Sequence, residues 1–445
     1  MGKRVILSTN LRAEWHPQRV QAVVQALSEA LTFAAPADKV LSAFLRAWPQ
    51  LGQRDRAWVA ETYYGVIRHY RRLTLWAEST APRHLLLAWL VVGRGFSVAQ
   101  LTPFIRREEA EWLAHRKAAI ANYSWRDAER LSVPDWLWVR LVAAYGGDEA
   151  QRIAASMLCA APLDLRVNTL KAKRSEVLAA FTAEGLEAQP TPWSPWGIRL
   201  SEKVALNRHP FYREGVVEVQ DEGSQLVARL VAPKRRQTVV DFCAGAGGKA
   251  LALAALMANS GQIFACDAIA KRLAGLHPRL ARAGATNVQP MAIADEHDPK
   301  LAHLSGKADR VLVDVPCSGI GTLRRNPDFK WRQTEATVAA LSAQQGSILA
   351  SAGRLVKPGG RLVYVTCSIL PEENDCVVQQ FLAAHPEFAP LPWNELTADW
   401  QHGTHGTPFV NGPLPTDGVP EAVRLFPHVH GCDGFFAVVL ERRSV

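Results

Sequence analysis

Residues 238–250 read TVVDFCAGAGGKA. A short apolar run ends on Asp241, a glycine-rich turn follows, and Lys249 leads into a Leu/Ala stretch that reads as a helix through Leu256. The order is strand, turn, helix. Glycines in such a turn let the backbone approach a ligand closely, and the N–H groups at the helix start favour negative or electron-rich atoms. The turn is not a Walker phosphate loop, which would place Gly at Cys243 and Ser or Thr at Ala250.

The same alternation continues downstream. GQIFACD (261–267) precedes KRLAGLHPRLARAG, NVQPMAIAD and DRVLVDVPC are further apolar runs, and TEATVAALSAQQGSILASAGRLV leads to GGRLVYVTC. Strands alternating with helices of this length make a largely parallel, doubly wound sheet. Continuous apolar runs are expected where helices cover both faces. Such sheets place their chemistry at the carboxyl ends of the strands. The reading is an α/β Rossmann-like domain over residues 216–445.

Upstream the pattern differs. Residues 18 to about 147 space their apolar side chains at three and four, as in Val40, Phe44 and Leu45, then Val59, Tyr63, Val66 and Ile67. An all-α bundle over residues 1–147 is predicted. Arg54, Arg56, Arg68, Arg71 and Arg72 lie among Trp58, Tyr63, Tyr64, His69 and Tyr70. That interleaving suits stacking on unpaired bases, or else a bundle core with a wet basic face. Residues 148–215 read strand, helix, strand, a small α+β unit whose Arg166, Asn168, Lys171, Lys173 and Arg174 suggest another basic surface.

At 445 residues, two or three domains are expected. The net charge is +9, with +6 carried by residues 1–150, which is compatible with a polyanionic partner such as nucleic acid. No apolar run spans a membrane, since HLLLAWLVVG (84–93) is too short. The start, MGKRVILSTNLRAEW, lacks an apolar segment and cleavage site, so a cytoplasmic protein is expected. Seven scattered cysteines without a CxxC pair indicate neither a disulfide framework nor a zinc site. HGTHG (402–406) reads as a polar loop, and no metal site is predicted.

The strand ends carry the chemistry. Asp267 follows Gly248 by nineteen residues and is placed to accept from ribose hydroxyls, so NAD or S-adenosylmethionine would fit. Asp241, Asp267, Asp295 and Asp314, at four successive strand ends, outline an adenosine-sized cleft. Buried cysteines usually act as small hydrophobes, a reading that covers Cys159, Cys243, Cys266 and Cys376. Cys317 and Cys367 differ, because each leaves the sheet at its active edge, where two thiols could face one substrate. A nearby cation activates a thiolate, and Arg324, Arg325 and Lys330 are close in sequence. A thiolate beside a methyl donor suits cytosine, whose carbon 5 becomes enamine-like once sulfur adds to carbon 6. Elimination must follow, so one cysteine would attack and a second could assist release.

CAGAGGK (243–249), DVPCSGIGTLRRNPDFKW (314–331) and TCSILPEEN (366–374) resemble the RNA cytosine-5 methyltransferases of the Sun/RsmB (Fmu-related) family. VQDEGSQLVA (219–228) and HGCDGFFAVVLER (430–442) resemble its flanking motifs, LDLRVNTLKA (163–172) its pre-catalytic segment, and LGQRDRAWVAETYYGVIRH (51–69) its NusB-type RNA-binding domain. The resemblance implies a class I methyltransferase domain preceded by a NusB-like bundle. It implies Cys367 as nucleophile and Cys317 in product release. S-adenosylmethionine would be held by Cys243, Ala244, Gly245, Ala246, Gly247, Gly248, Lys249, Asp267, Asp295 and Asp314. The implied partner is 16S rRNA, naked or in an assembling small subunit, met by a monomer with no membrane association. Ala246 replaces the family's usual proline, Ala250 its common threonine, and IADEHD lacks its Asp-Gly pair. An NAD-dependent oxidoreductase and a non-catalytic rRNA assembly factor are the competing readings.

Overall fold

The computed structural model describes residues 15–202, 204, 206–400 and 409–444, so residues 1–14 and the HGTHG tract lie outside it. The chain forms two compact units. One holds the described residues of Met1–Ala143 with Ala150–Cys159 and Leu323–Thr334, and the other holds Ala144–Glu149, Ala160–Thr322 and Glu335–Val445. Among the described residues no helix is long and apolar enough to cross a membrane.

The first unit is helical. Its helix Gln53–Arg68 begins at Gly52, whose N–H donates to Asp55 Oδ2 at 3.1 Å. Val59, Tyr63, Val66 and Ile67 recur along one face and are fully buried. They share a core with Val20 and Val23 of Pro17–Ala30, Val40 of Ala37–Ala47 and Leu85–Leu87 of Pro82–Val92. This core also consumes the aromatic–arginine cluster. Trp58 and Tyr63 are buried. Arg56 donates to the carbonyls of Leu45, Trp48 and Leu51 at 2.8, 3.0 and 2.9 Å, closing the end of a neighbouring helix. Arg71 donates to Val133 O at 2.6 Å and pairs with Asp135 at 2.8 Å. Of the five arginines only Arg54 is exposed. The cluster is therefore core and helix-end clamp, not a stacking platform.

Leu323–Thr334 enters this unit from the middle of the α/β sequence. Arg68 Nη2 donates to Arg324 O at 2.9 Å, Lys330 Nζ to Arg68 O at 2.9 Å, and Trp331 Nε1 to Ile67 O at 3.1 Å. The Asp328 carboxylate accepts from the Ala37 N–H at 3.1 Å. Trp331 packs edge-on against Tyr70, with ring centres 5.5 Å apart.

The second unit contains two sheets. A small antiparallel sheet comprises β1 (Leu163–Val167), β2 (Ala188–Pro190), β3 (Gly197–Leu200) and β4 (Val217–Val219), in the order β2-β3-β1-β4. Helix Arg174–Ala183 covers it, burying Val177 and Phe181 against Leu165, Val167 and Ile198. The expected basic surface is reduced to the exposed Lys171 and Lys173. Arg166 and Asn168 are buried, Lys171 donates to the carbonyls of Glu214 and Arg282, and Arg174 to that of Ser194. These donors satisfy backbone acceptors that folding would otherwise strand.

The large sheet contains β5 (Thr238–Asp241), β6 (Gln262–Asp267), β7 (Val288–Ala292), β8 (Ala308–Asp314), β9 (Val356–Thr366), β10 (Phe388–Pro390), β11 (Val423–Leu425) and β12 (Phe435–Arg442). The order is β10-β12-β9-β8-β5-β6-β7, with β11 paired to β12. The five strands from β7 to β9 are parallel, as predicted, while β10, β11 and β12 add antiparallel pairings that the alternation did not announce. Side chains alternate between two cores. Val239, Leu312, Val363 and Val365 enter one, and Val240, Val311, Val313, Leu362 and Tyr364 the other. Burial of both faces explains the continuous apolar runs.

Trp331→Ala should lower the stability of the helical unit by about 2 kcal/mol, because it removes a half-buried ring and leaves the Ile67 carbonyl short of a donor. Urea unfolding followed by far-ultraviolet circular dichroism checks this, and an unchanged midpoint contradicts it.

Candidate active site

β8 and β9 are adjacent and parallel, with Asp314 opposite Val365. Three residues beyond Asp314 stands Cys317, and two beyond Val365 stands Cys367. Their sulfurs meet at 3.3 Å. Each thiol is half-buried and is followed by a fully buried serine, Ser318 and Ser368 both being at 0% exposure. None of the seven cysteines is in a disulfide.

A buried polar network holds the two loops. The Glu373 carboxylate accepts from Ser318 N–H at 2.7 Å and from Ser318 Oγ at 2.5 Å. Gln345 Nε2 bridges Glu373 Oε1 at 3.0 Å and the Pro316 carbonyl at 2.9 Å. On the other loop, Thr366 Oγ1 donates to Asn374 Oδ1 at 2.5 Å, and Asn374 Nδ2 to Ser368 O at 3.1 Å. Tyr364 OH donates to Glu373 O at 2.5 Å. The backbone completes the clamp, with Gly321 N–H donating to Cys367 O at 2.9 Å and Gly434 N–H to Gly321 O at 2.8 Å. A Cβ on Gly321 would collide with the Gly434 carbonyl and stand 2.7 Å from Cys367 O, so only glycine passes this crossing. This network was missed in the sequence. Its signal was the run PEEN, close behind Cys367.

The glycine turn lies at the neighbouring strand ends. Gly245 and Gly247 have φ of +57° and +80°, and the helix Gly248–Leu256 follows. Ala244 N–H donates to Cys266 O at 2.7 Å, and Gly245 N–H to Asp267 Oδ2 at 2.8 Å. Ile269 N–H donates to Asp267 Oδ1 at 2.7 Å. Lys249 Nζ donates to Asp314 Oδ2 at 2.6 Å and lies 5.6 Å from the centre of the Phe435 ring. Cys243, Ala244 and Ala246 complete the turn, and Arg279 Nη1 holds the Ala246 carbonyl at 2.6 Å. Asp241, Asp267 and Asp314 are each the last residue of a strand. Asp295 is not. It stands three residues past β7, exposed, and its Oδ1 accepts from His297 N–H at 2.8 Å, so it belongs to its own turn. Among the described residues no cluster of His, Cys, Asp or Glu suits a metal ion.

Charge distinguishes the groups. Burial pushes the Cys243 thiol up, helped by Asp314, Asp241 and Asp267, and takes Cys266 to about 12. Both are inert. Burial opposes the charge on Lys249, but Asp314, with Asp241 and Cys367 behind it, more than compensates and holds the proton on the amine. Of the two thiols, Cys367 is the one with Lys249 among its charged neighbours. Lys330 is spent on the Arg68 carbonyl, and burial drives its amine well below the usual lysine range. Asp241 is pushed up to about 7, first by burial and then by Asp314. Its oxygens close no hydrogen bond of ordinary length, the Ala250 N–H offering weak compensation. Gly245 has open space where a Cβ would stand. An open glycine turn, strand-end acids and a weakly compensated buried carboxylate fit a nucleoside-bearing cofactor that carries hydroxyl and ammonium donors.

Residues 228–441 match the family described as 16S rRNA methyltransferase RsmB/F, and residues 133–207 match an RsmF/B-like ferredoxin-like domain. Over 315 residues the chain is 36% identical to a probable ribosomal RNA small subunit methyltransferase B of Synechocystis sp., covering 71% of this chain and 68% of that protein. A probable ribosomal RNA small subunit methyltransferase B of Bacillus subtilis is 35% identical over 319 residues, covering 72% and 68%. The crystal structure of PH0851 superposes with a TM-score of 0.75 at 26% identity, covering 96% of this chain and 99% of that one.

Asp241 carries a pH signature. Its folded pKa is raised from 3.8 to about 7, so its ionisation costs stability as pH rises from about 4 to 7, and the cost stays constant above that. Three units correspond to on the order of 4 kcal/mol. Asp241→Asn should remove this component. Urea unfolding without added cofactor should show the variant gaining on the wild type between pH 4 and 7, and parallel curves would contradict the assignment.

Proposed function

We infer, from the premise that the chain belongs to the 16S rRNA methyltransferase RsmB/F family, that it methylates carbon 5 of a cytosine in 16S rRNA through a transient bond from Cys367 to carbon 6. The coarser statement follows from membership: this is a ribosomal RNA small subunit methyltransferase, and its methyl donor is S-adenosylmethionine. Membership also sets aside the NAD-dependent oxidoreductase, which left both cysteine loops without a task. The finer statement is supported by one observation, the meeting of Cys317 and Cys367 at 3.3 Å on adjacent strand ends.

In this reading the cofactor, when bound, supplies a methyl group on a cationic sulfur. Residues Cys243–Lys249 line its turn, and Asp267 offers carboxylate oxygens to its ribose hydroxyls. Asp314, neutralised in part by Lys249, helps to hold the base. Cys367, beside the same lysine, adds its sulfur to carbon 6 and places electron density on carbon 5. Cys317 acts at release. Carbons 5 and 6 must be reached from the faces of the base, so the cytosine is single-stranded or extruded. We further propose that residues 1–147 form a NusB-like RNA-binding domain and that residues 148–215 form a unit preceding the catalytic domain 216–445. The protein would act as a cytoplasmic monomer.

Cys317→Ala protein, incubated with S-adenosylmethionine and small-subunit rRNA transcript or assembling subunits, should give a protein–RNA adduct on a denaturing gel. Adding Cys367→Ala should abolish the adduct and methyl transfer while leaving cofactor binding intact. Full activity in the Cys367→Ala variant would overturn the reading. Asp267→Ala should weaken S-adenosylmethionine binding about tenfold or more by calorimetry, the range expected for a lost charged acceptor. Unchanged affinity would remove Asp267 from the cofactor site.

A further inference from the structure

The two thiols have unlike surroundings. Cys317 is followed by Ser318, whose N–H and hydroxyl are both given to the Glu373 carboxylate. That carboxylate is at 0% exposure, within a network that Gln345, Ser368 and Tyr364 complete. Cys367 has Lys249 among its charged neighbours, and Lys249 is anchored on Asp314. An anion therefore stands behind one thiol and a cation beside the other, across 3.3 Å.

We propose that Glu373 is the positioning residue that divides the labour between the cysteines, fixing Cys317 beside Cys367 as the proton-bearing thiol and leaving Cys367 as the nucleophile. The proposal rests on the two-cysteine reading above and goes one step further, because it states why the roles are not interchangeable. At release, the carbon 5 proton passes to water, and its C–H electron pair re-forms the carbon 5–carbon 6 double bond. The carbon 6–sulfur bond breaks, and its pair comes to rest on Cys367. The Cys317 S–H donates a hydrogen bond to that departing sulfur, so Cys317 must keep its proton. The charged and titratable groups around it serve that end. Tyr364 faces it from β9, Cys367 from the residue just past β9, and Glu373 from the turn that follows. Asp314, the last residue of the strand that leads to Cys317, is already bound to Lys249 of the helix Gly248–Leu256. The hydrogen bond with Cys367, burial, and the Cys367 and Glu373 charges together push the Cys317 thiol well up. Burial, followed by Cys317 and Glu373, also keeps Tyr364 neutral.

The test separates charge from shape. Glu373→Gln keeps an acceptor for the Ser318 N–H but removes the charge, and Glu373→Asp keeps the charge. Alkylation of Cys317 by iodoacetamide, read by peptide mass spectrometry across pH in a Cys367→Ala background without RNA, should shift its midpoint about one unit lower in Glu373→Gln. Glu373→Asp should hold it near the wild-type value. In single-turnover reactions with both cysteines present, the alkaline fall in adduct release should move to lower pH in Glu373→Gln, with cofactor affinity unchanged. A merely structural role would lower stability and cofactor affinity without moving either pH profile. If the alkylation midpoints coincide in wild type, Glu373→Gln and Glu373→Asp, the proposal is overturned. If Glu373→Gln does not fold, a midpoint in Glu373→Asp displaced as far as that of Cys317 in unfolded protein also overturns it. The alkylation arm needs no RNA, so it stands even if no Cys367–RNA adduct forms, an outcome that would instead remove the cytosine chemistry.

Discussion

Parallel pairing of β8 with β9, Asp314 opposite Val365, places two loops side by side at one edge of the sheet. Both strands are buried on both faces, so a one-residue slip would exchange the side chains feeding the two cores. The register is thereby pinned by apolar packing far from the chemistry. The loops inherit that precision, and the Gly321–Gly434 backbone crossing and the Glu373 network convert it into a sulfur–sulfur separation of 3.3 Å. A buried polar network of this kind is rigid only when its members are satisfied, and here the serines, Gln345, Asn374 and Glu373 find partners within 3.3 Å.

The same edge gathers charge that a protein interior ordinarily excludes. Three carboxylates close successive or neighbouring strands, and the single lysine of the glycine turn bonds one of them. The imbalance is largest at Asp241, where burial outweighs compensation. A poorly compensated carboxylate costs stability in the protein alone, and such a cost is retained where it serves binding or catalysis. A cationic sulfonium cofactor is the kind of ligand that such an edge accommodates.

Arginine-rich stretches were the least legible part of the sequence. Periodicity correctly assigned Val59, Tyr63, Val66 and Ile67 to a helix face, because a repeat of three and four needs no knowledge of the partner. Whether Arg56 or Arg166 faces solvent or a carbonyl depends on which helix end or strand lies opposite, and composition holds no record of that. Much of the basic surface inferred around residues 54–72 and 166–174 therefore became clamps on backbone carbonyls, while Arg54, Lys171 and Lys173 stay exposed. Asp295 is off the strand end for a related reason: the strand stops three residues earlier, at Ala292, and the acid belongs to the turn beyond.

The sequence by itself determined the alternation of strands and helices, the glycine turn at Cys243–Lys249, three strand-end acids and the two cysteines that leave adjacent strands. Each is a local property, written in hydrophobic period, turn chemistry or residue type. Tertiary structure decided which charges face which thiols. Lys249, more than a hundred residues from Cys367, is that thiol's cation, while Lys330, thirteen residues from Cys317, is spent elsewhere. Glu373 lies behind Cys317 although it follows Cys367 in the chain. Electrostatic neighbours are set by the pairing of strands and the docking of helices, and distance through space in a doubly wound sheet bears little relation to distance along the chain.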